Sequence, residues 1–200
     1  GSAYVCLRTR HQRKTFASSG LNRSVRGTAV SHQIWKSFSE FPLLREVATQ
    51  VDRFSTDELR TLVSDMFETM RDGRGVGLAA PQIGVSARII VFEFSGDEER
   101  APGEPLIPPS VLINPVITSG EGWAEGREGC FSIPGKIGIV PRYTTIEYTA
   151  QDIDGLKVQG KAEGFHARII QHEVDHLNGI LYIDIASEVS PYQRETIENK

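Results

Sequence analysis

The sequence predicts a single α+β domain in which antiparallel or mixed sheets pack around a helix with a His-Glu-x-x-His pattern. Two patterns of helical period, near residues 55–73 and 164–177, flank a run of strand-like segments, an order typical of α+β domains. The length of 200 residues is sufficient for one hydrophobic core. The composition, with 39% hydrophobic residues and a mean hydropathy of -0.25, is that of an ordinary globular domain.

Charge and cysteine content argue against several classes of partner. The 22 basic and 26 acidic residues give a net charge of -4, whereas nucleic-acid-binding proteins usually have a concentrated basic surface. No apolar run reaches the length of about 18 residues that a membrane-spanning helix needs, so we expect no membrane partner. Cys6 and Cys130 lie in different contexts, so we expect a reducing compartment and no disulfide.

Residues 1–39 form a basic arm that differs in composition from the rest of the chain. They contain no Asp or Glu but many Arg and Ser residues, a composition typical of a transit segment for import into a mitochondrion or plastid. The alternative is a basic arm without a targeting role, in which case we expect the bacterial cytoplasm. Domain-like sequence follows, so we expect the functional domain to occupy residues 40–200.

The first predicted helix follows a capping box, Ser55-Thr-Asp-Glu58. In this pattern Ser55 is placed to accept a hydrogen bond from a backbone N–H, and Glu58 is placed to reach back. Apolar residues then recur at helical spacing from Leu59 to Met70, and Gly73 ends the run.

Strand-like segments occupy the middle of the chain. Strands are predicted from β-formers and alternating polarity at 88–94, 111–118, 137–140, 144–150 and 156–162. Asp154-Gly155 is expected to form the hairpin turn between the last two. Residues 95–110, rich in Gly, Pro and acidic side chains, are expected to form a surface loop.

The second predicted helix runs from Gly164 to Leu177, and Asn178-Gly179 supplies its C-terminal stop. Residues 180–183 are expected to form a short closing strand or to continue the packing. The polar residues from 187 onward are a candidate for a further helix.

The segment His172-Glu-Val-Asp-His176 on this helix is the strongest indication of chemistry. Residues at i and i+4 lie on one helical face, so both imidazoles can reach one metal ion. Glu173 is adjacent to the first of them, where its carboxylate can meet a water on the metal. The alternative is a pair of solvent-facing histidines, but the apolar character of the helix places the segment near a core.

Two imidazoles need at least one more protein ligand to form an open catalytic site. Upstream, Cys130 offers a soft sulfur ligand within the glycine-flanked segment 128–132. Taken alone, such a cysteine is more often a small buried hydrophobe, but together with the helix pattern it is the leading candidate. Zinc peptidases with this helix pattern usually have the third ligand downstream, where the candidates are Glu188, Glu195 and Glu198.

Three segments of the chain carry recognisable motifs, and they are GVGLAAPQIG at 75–84, EGCFS at 128–132 and QHEVDH at 171–176. Together they resemble the signature motifs of the peptide deformylase family, and the resemblance covers about residues 41–184. It implies a metal-dependent hydrolase that removes the formyl group from the N-terminal formyl-methionine of newly synthesised polypeptides and releases formate. The implied partners are nascent chains near the ribosome.

The resemblance assigns the metal site and the proton carrier. It implies that Cys130, His172 and His176 bind one divalent metal ion. This ion would be ferrous iron in the native protein and zinc, nickel or cobalt in some preparations. It also implies that Glu173 is the general acid and base.

The same resemblance identifies groups that contact the substrate. The amide of Gln82 and the backbone N–H of Phe131 would stabilise the oxyanion. The expected substrate-binding residues are Gly75, Val76, Gly77, Leu78, Phe165 and Ile169. The glycines would let an extended peptide pair with the backbone, and the apolar side chains would line a pocket for methionine. The family usually has Leu at the position of Phe131, so the pocket wall is expected to differ.

Two other readings compete with this one. A zinc endopeptidase would need a downstream ligand and would not need Cys130. A structural metal site would be closed by a fourth protein ligand, for which Cys6 and His166 are candidates. Neither accounts for all three motifs.

Overall fold

The structure is a computed structural model, and it describes residues 42–97 and 100–192. The helices among these residues are α1 (Asp57–Asp72), α2 (Gly164–Leu177) and α3 (Tyr182–Ile185), with 3-10 helices at Pro42–Arg45 and Ala80–Ile83. The strands are β1 (Gly77–Ala79), β2 (Ile89–Phe94), β3 (Ile107–Glu121), β4 (Ala124–Cys130), β5 (Ile133–Arg142), β6 (Thr145–Gln151), β7 (Lys157–Glu163) and β8 (Glu188–Pro191). The predictions for residues 1–39 fall outside the described residues.

Two antiparallel sheets account for all the strands in the described part of the chain. The larger sheet has the order β1-β2-β3-β6-β7, and the smaller has the order β4-β5-β8. Neighbouring strands are antiparallel throughout. The prediction of an α+β domain is therefore confirmed. β1 is an edge strand of the larger sheet, paired on one side with β2 through Gly77 opposite Phe92.

Strand β2 separates two hydrophobic clusters, because its successive side chains point to opposite faces. Ile90 and Phe92 belong to the cluster that packs against α2. Ile89 and Val91 belong to the cluster that packs against α1. Eleven of the fourteen residues of α2 are buried, so this helix is enclosed rather than lying on the surface. Among the described residues, no helix is long and apolar enough to cross a bilayer.

Helix α1 begins one residue later than the capping box predicts. Its N-cap is Thr56, whose side-chain oxygen accepts a hydrogen bond from the backbone N–H of Leu59 at 3.1 Å. Ser55 instead has a φ of 56°, and its hydroxyl donates to Asp154 at 2.9 Å. The prediction of Ser55 as the cap was wrong, because a distant turn engages its hydroxyl and leaves the adjacent threonine to cap the helix.

The five predicted strands are all present, and the hairpin turn has its glycine, Gly155, at a φ of 83°. The loop predicted at 95–110 is shorter than expected. β3 already begins at Ile107, and two of its three prolines, Pro108 and Pro109, lie near the start of the strand, where the missing N–H is best tolerated.

Three strands, β1, β4 and β8, were not predicted. β4 has the sequence AEGREGC, which lacks apolar alternation, and it is held by pairing along β5. β8 also pairs with β5, placing Val189 opposite Gly138, so the prediction of a helix there was wrong. Residues 182–185 form α3 rather than a closing strand, because Asp184 accepts a hydrogen bond from the N–H of Leu181 at 2.8 Å and starts a helical turn.

Candidate metal centre

Helix α2 places three chemically active side chains in the interior. The ring centroids of His172 and His176 are 5.0 Å apart, with the ring planes at 77°. Both rings and the carboxylate of Glu173 are buried. The spacing of four residues therefore brings the imidazoles together on one face of the helix, as the sequence predicts.

The smaller sheet supplies the third side chain. Cys130 is the last residue of β4, directly before the two-residue turn that leads into β5. Its Sγ lies 3.2 Å from Nε2 of His176. The candidate ligand atoms of Cys130, His172 and His176 all lie within 4.8 Å of one another. The predicted ligands thus come together from two distant parts of the sequence.

The electrostatics of this cluster fit a bound metal ion. Burial lowers the pKa of His176 well below its usual value, and the neutral ring is the form that binds metals. Burial would also lower the pKa of His172, but its contacts with Cys130 and Glu128 raise that pKa well above its usual value. One sulfur and two imidazole nitrogens suit zinc, iron and similar metals.

A buried charge network lies behind His172. Oε2 of Glu128 is 2.8 Å from Nδ1 of His172, and the Glu128 carboxylate also accepts hydrogen bonds from Arg142 and Arg168. Burial alone would raise the pKa of Glu128, but Arg142 and His172 hold it well below its usual range. The hydrogen bonds of the Glu128 carboxylate therefore join two arginines to the first histidine.

Glu173 has the environment of a proton carrier. Its Oε2 is buried and has no hydrogen-bond partner among the described residues. Burial raises the pKa of Glu173 to about 7. A Cβ atom at Gly77 would overlap the Oε1 of Glu173, so the glycine of β1 makes room for the carboxylate. The carboxylate therefore has one oxygen that no described group satisfies, on the same helix as both histidines.

Gln82 orients its amide toward the same cluster. It lies in the 3-10 helix that follows β1, and its Oε1 accepts a hydrogen bond from the N–H of Ala79 at 2.9 Å. Its Nε2 is then directed to Sγ of Cys130 at 3.4 Å and to Oγ of Ser132 at 3.3 Å. The fixed amide therefore presents N–H groups beside the candidate metal ligands.

The residues expected to bind substrate fall in two places. Val76, Phe165 and Ile169 are buried in the cluster between the larger sheet and α2. Leu78 belongs to the other cluster, together with Phe131. Gly75 and Gly77 flank Val76 at the start of the edge strand β1.

Comparison with known proteins decides the family. The sequence profile of the family described as polypeptide deformylase matches residues 37–192. Peptide deformylase 2 of Bordetella bronchiseptica is 51% identical over 142 residues, which are 70% of this chain and 80% of that protein. Peptide deformylase 2 of Ralstonia nicotianae is 51% identical over 140 residues, 70% of this chain and 78% of that protein.

The chain belongs to the peptide deformylase family. Solved structures agree with this assignment. The class I type b peptide deformylase of Acinetobacter baumannii, bound to Met-Ala-Ser, has a TM-score of 0.75 at 33% identity and covers 79% of this chain and 99% of its own. The peptide deformylase of Thermotoga maritima has a TM-score of 0.69 at 35% identity and covers 79% and 99%.

The competing metal sites find no support in the described part of the chain. A zinc endopeptidase site would need a downstream ligand, but the cluster of candidate ligands contains none. The downstream candidate Glu188 is an exposed residue of β8. Glu195 and Glu198 lie outside the described residues. His166 is not part of the cluster either, and Cys6 lies outside the described range.

Sequence reasoning missed the two arginines that neutralise Glu128. Arg168 had a usable signal, because it precedes His172 by four residues and so shares the helical face of both histidines. Arg142 had no such signal in the sequence, because a charged residue at the end of a strand is usually exposed. Its guanidinium bonds Glu128 at 2.9 Å and Asp175 at 2.5 Å.

Proposed function

We propose that one divalent metal ion, held by Cys130, His172 and His176, serves the reaction of this deformylase with Glu173 and Gln82 beside it. The reaction is hydrolysis of the N-formyl group from the N-terminal formyl-methionine of nascent polypeptides, with release of formate. The observation that best supports the proposal is the convergence of three buried donor atoms, from Cys130, His172 and His176, within 4.8 Å of one another.

A metal ion bound by these residues would supply Lewis acidity, which makes water available as a nucleophile near neutral pH. We propose ferrous iron as the native metal, with zinc, nickel or cobalt able to occupy the same ligands. The mixed sulfur and imidazole donors accommodate all four.

Glu173 would act as general base and then as general acid. Its pKa of about 7 suits a group that must both accept and return a proton at neutral pH. The carboxylate would take a proton from the attacking water and later give it to the leaving amine. Gly77 supports this role, since a larger residue there would displace the carboxylate.

Two N–H donors would stabilise the oxyanion that forms on the formyl oxygen. One is Nε2 of Gln82, held by the hydrogen bond from Ala79 to its Oε1. The other is the backbone N–H of Phe131, which follows the ligand Cys130 in the chain. A donor of this kind typically contributes about 3 kcal/mol to the transition state.

The substrate peptide would extend along the unpaired edge of β1. Gly77 and Leu78 lie in this strand, Gly75 and Val76 directly precede it, and this segment would pair with an extended chain as a neighbouring strand would. Val76 shares a cluster with Phe165 and Ile169, and these three would line the methionine pocket. Because the formyl carbon carries a hydrogen atom where the acetyl carbon carries a methyl group, a tight site would exclude an acetyl group by steric clash.

Formate release tests the proposal directly. The protein is prepared anaerobically, loaded with iron and given formyl-Met-Ala-Ser. We expect release of formate and of Met-Ala-Ser, with no release of acetate from acetyl-Met-Ala-Ser. Cleavage at an internal peptide bond, or no formate from protein with a full complement of metal, would contradict the proposal.

The compartment is a separate proposal. The relatives named above are bacterial proteins, which supports a bacterial cytoplasmic location. The basic composition of residues 1–39 supports organelle import.

A fusion of residues 1–39 to a fluorescent protein, expressed in a eukaryotic cell, distinguishes organelle import from a bacterial cytoplasmic location. Import would establish the transit segment, whereas a cytosolic signal would favour the bacterial location. In either case, removal of residues 1–38 should leave turnover unchanged.

A further inference from the structure

The ring of Phe131 fills the space beside two glycines that precede the edge strand. A Cβ atom at Gly73 would lie 2.5 Å from Cε1 of Phe131, and a Cβ atom at Gly75 would lie 2.5 Å from Cε2. Side chains do not pack this closely, so the ring is wedged against both backbones. Phe131 is only 7% exposed, and its ring belongs to the cluster around Met70 and Leu78.

The two glycines bound the turn that leads from α1 into β1. The N–H of Gly73 bonds the carbonyl of Thr69 at 3.1 Å, and that of Gly75 bonds the carbonyl of Met70 at 2.8 Å. Arg74 between them has a left-handed φ of 56°. The next residue, Val76, accepts a hydrogen bond from the N–H of Glu93, so the position of this turn sets the start of the β1 edge.

We propose that Phe131 is a positioning residue for the peptide. Its ring sets the spacing between the turn that follows Cys130 and the β1 edge along which the peptide would lie. This inference rests on the proposed function, because it takes that edge as the place of peptide binding. The backbone N–H of Phe131 and its side chain would thus serve different purposes, one at the formyl oxygen and one at the peptide backbone.

A substitution at Gly73 isolates the contact. Gly73 has an ordinary φ of -75° at the end of α1, so alanine there meets no backbone strain and its obstacle is the ring. The ring is enclosed by the core and its backbone follows a proposed metal ligand, whereas Arg74 is exposed. The turn will therefore move rather than the ring, and the β1 edge will move with it.

The expected result is a change in KM with little change in kcat. We expect Gly73→Ala to raise KM for formyl-Met-Ala-Ser about tenfold, which corresponds to an overpacking cost of about 1.4 kcal/mol. We expect kcat to change less than about twofold, because the lost contacts bind the substrate and the transition state equally well. In the Phe131→Leu background the same substitution should raise KM less than about twofold, because leucine lacks the ring atoms that the new Cβ meets.

The experiment compares four proteins, namely wild type, Gly73→Ala, Phe131→Leu and the double variant, each with metal content measured. Asp72→Ala, at the exposed neighbouring residue in the last turn of α1, is the matched control and should leave KM unchanged. An equal KM effect of Gly73→Ala in both backgrounds, or a loss confined to kcat, would overturn the inference.

Two further outcomes are informative. If Gly73→Ala does not fold, recovery of folded protein in the Phe131→Leu background would support the wedge, and failure in both backgrounds would overturn it. Wild-type protein with full metal that releases no formate would instead refute the proposed function, so the two failures are distinguishable.

Discussion

Nδ1 of His172 lies 2.8 Å from Oε2 of Glu128, and this hydrogen bond joins the metal centre to a buried charge network. With Nδ1 donating to the carboxylate, Nε2 is left as the atom that faces the metal site. Glu128 is fully buried and is held in turn by Arg142 and Arg168. The orientation of the first histidine therefore depends on two arginines that contribute no ligand atom.

The Glu128 network makes a specific prediction for Glu128→Gln. The amide keeps the shape of the side chain but removes the charge that neutralises Arg142 and Arg168. We expect the free energy of unfolding to fall by about 3 kcal/mol, since a buried charge loses its partner. Metal affinity should fall about tenfold to a hundredfold, because His172 loses its orienting acceptor.

Urea denaturation and metal titration of the same variant check these two values. Glu125→Gln is the matched control, since Glu125 is an exposed residue of the same strand, β4. Unchanged metal affinity in folded Glu128→Gln protein would contradict the role assigned to the hydrogen bond with His172.

A second prediction concerns the sulfur ligand. Cys130→Ala should reduce bound metal close to zero after loading with iron or zinc, because two imidazoles alone do not hold a catalytic metal tightly. Ser132→Ala, two residues away, should retain metal, since the Ser132 hydroxyl accepts a hydrogen bond from Gln82 and serine is not a usual ligand in such a site. Measurement of metal per protein by mass spectrometry checks both. A full metal complement in Cys130→Ala would remove Cys130 from the site.

The sequence was sufficient to predict the parts of this fold that follow local rules. Helix α2 has its predicted bounds, because its apolar period and its Asn178-Gly179 stop are both encoded within a few residues. Strand β4 could not be predicted, because its glycine- and charge-rich sequence has no strand pattern of its own. Hydrogen bonding to β5 holds the segment in an extended conformation. Gly126 there is packed against the Arg168 guanidinium, a contact between residues 42 positions apart.

The clustering of the candidate metal ligands could be predicted from the sequence, whereas their surroundings could not. His172 and His176 have a spacing that itself specifies a shared face, whereas the link to Cys130 needed the resemblance to a family. Arg142 was not predictable, because its burial depends on Glu128 and Asp175, which lie 14 and 33 positions away in the sequence. Buried charge networks of this kind are a property of tertiary packing.

A third prediction tests the space that β1 leaves for Glu173. Gly77→Ala would place a Cβ on the Oε1 of Glu173 and displace the carboxylate. We expect kcat to fall about a hundredfold, the lower end of the range for loss of acid–base assistance. Metal content should not change, because none of the ligands is touched. Steady-state kinetics on formyl-Met-Ala-Ser check this, and a kcat within about threefold of wild type would show that the carboxylate adapts to the new methyl group.

A fourth prediction distinguishes the two hydroxyl residues before α1. Thr56→Ala should lower the free energy of unfolding by about 1 kcal/mol, the usual cost of losing an N-cap. Thr56→Ser should retain most of the stability, since its hydroxyl can still accept from Leu59. Ser55→Ala removes only a surface hydrogen bond to Asp154 and should cost less. Urea denaturation of the three variants checks the order, and a larger loss in Ser55→Ala would reassign the cap.

The last prediction is that Glu173 is indispensable to turnover although it is not a metal ligand. Glu173→Gln keeps the size of the side chain but cannot accept a proton in the same way, and no described group hydrogen-bonds the buried Oε2 of Glu173. Because one carboxylate would serve two proton transfers, we expect kcat to fall about ten-thousandfold, the upper end of the usual range. Metal content should be retained, and Glu163→Gln, at the exposed N-cap of the same helix, should be as active as wild type. Formate release by metal-loaded protein decides the matter, because a Glu173→Gln rate above about a tenth of wild type would show that another group moves the proton.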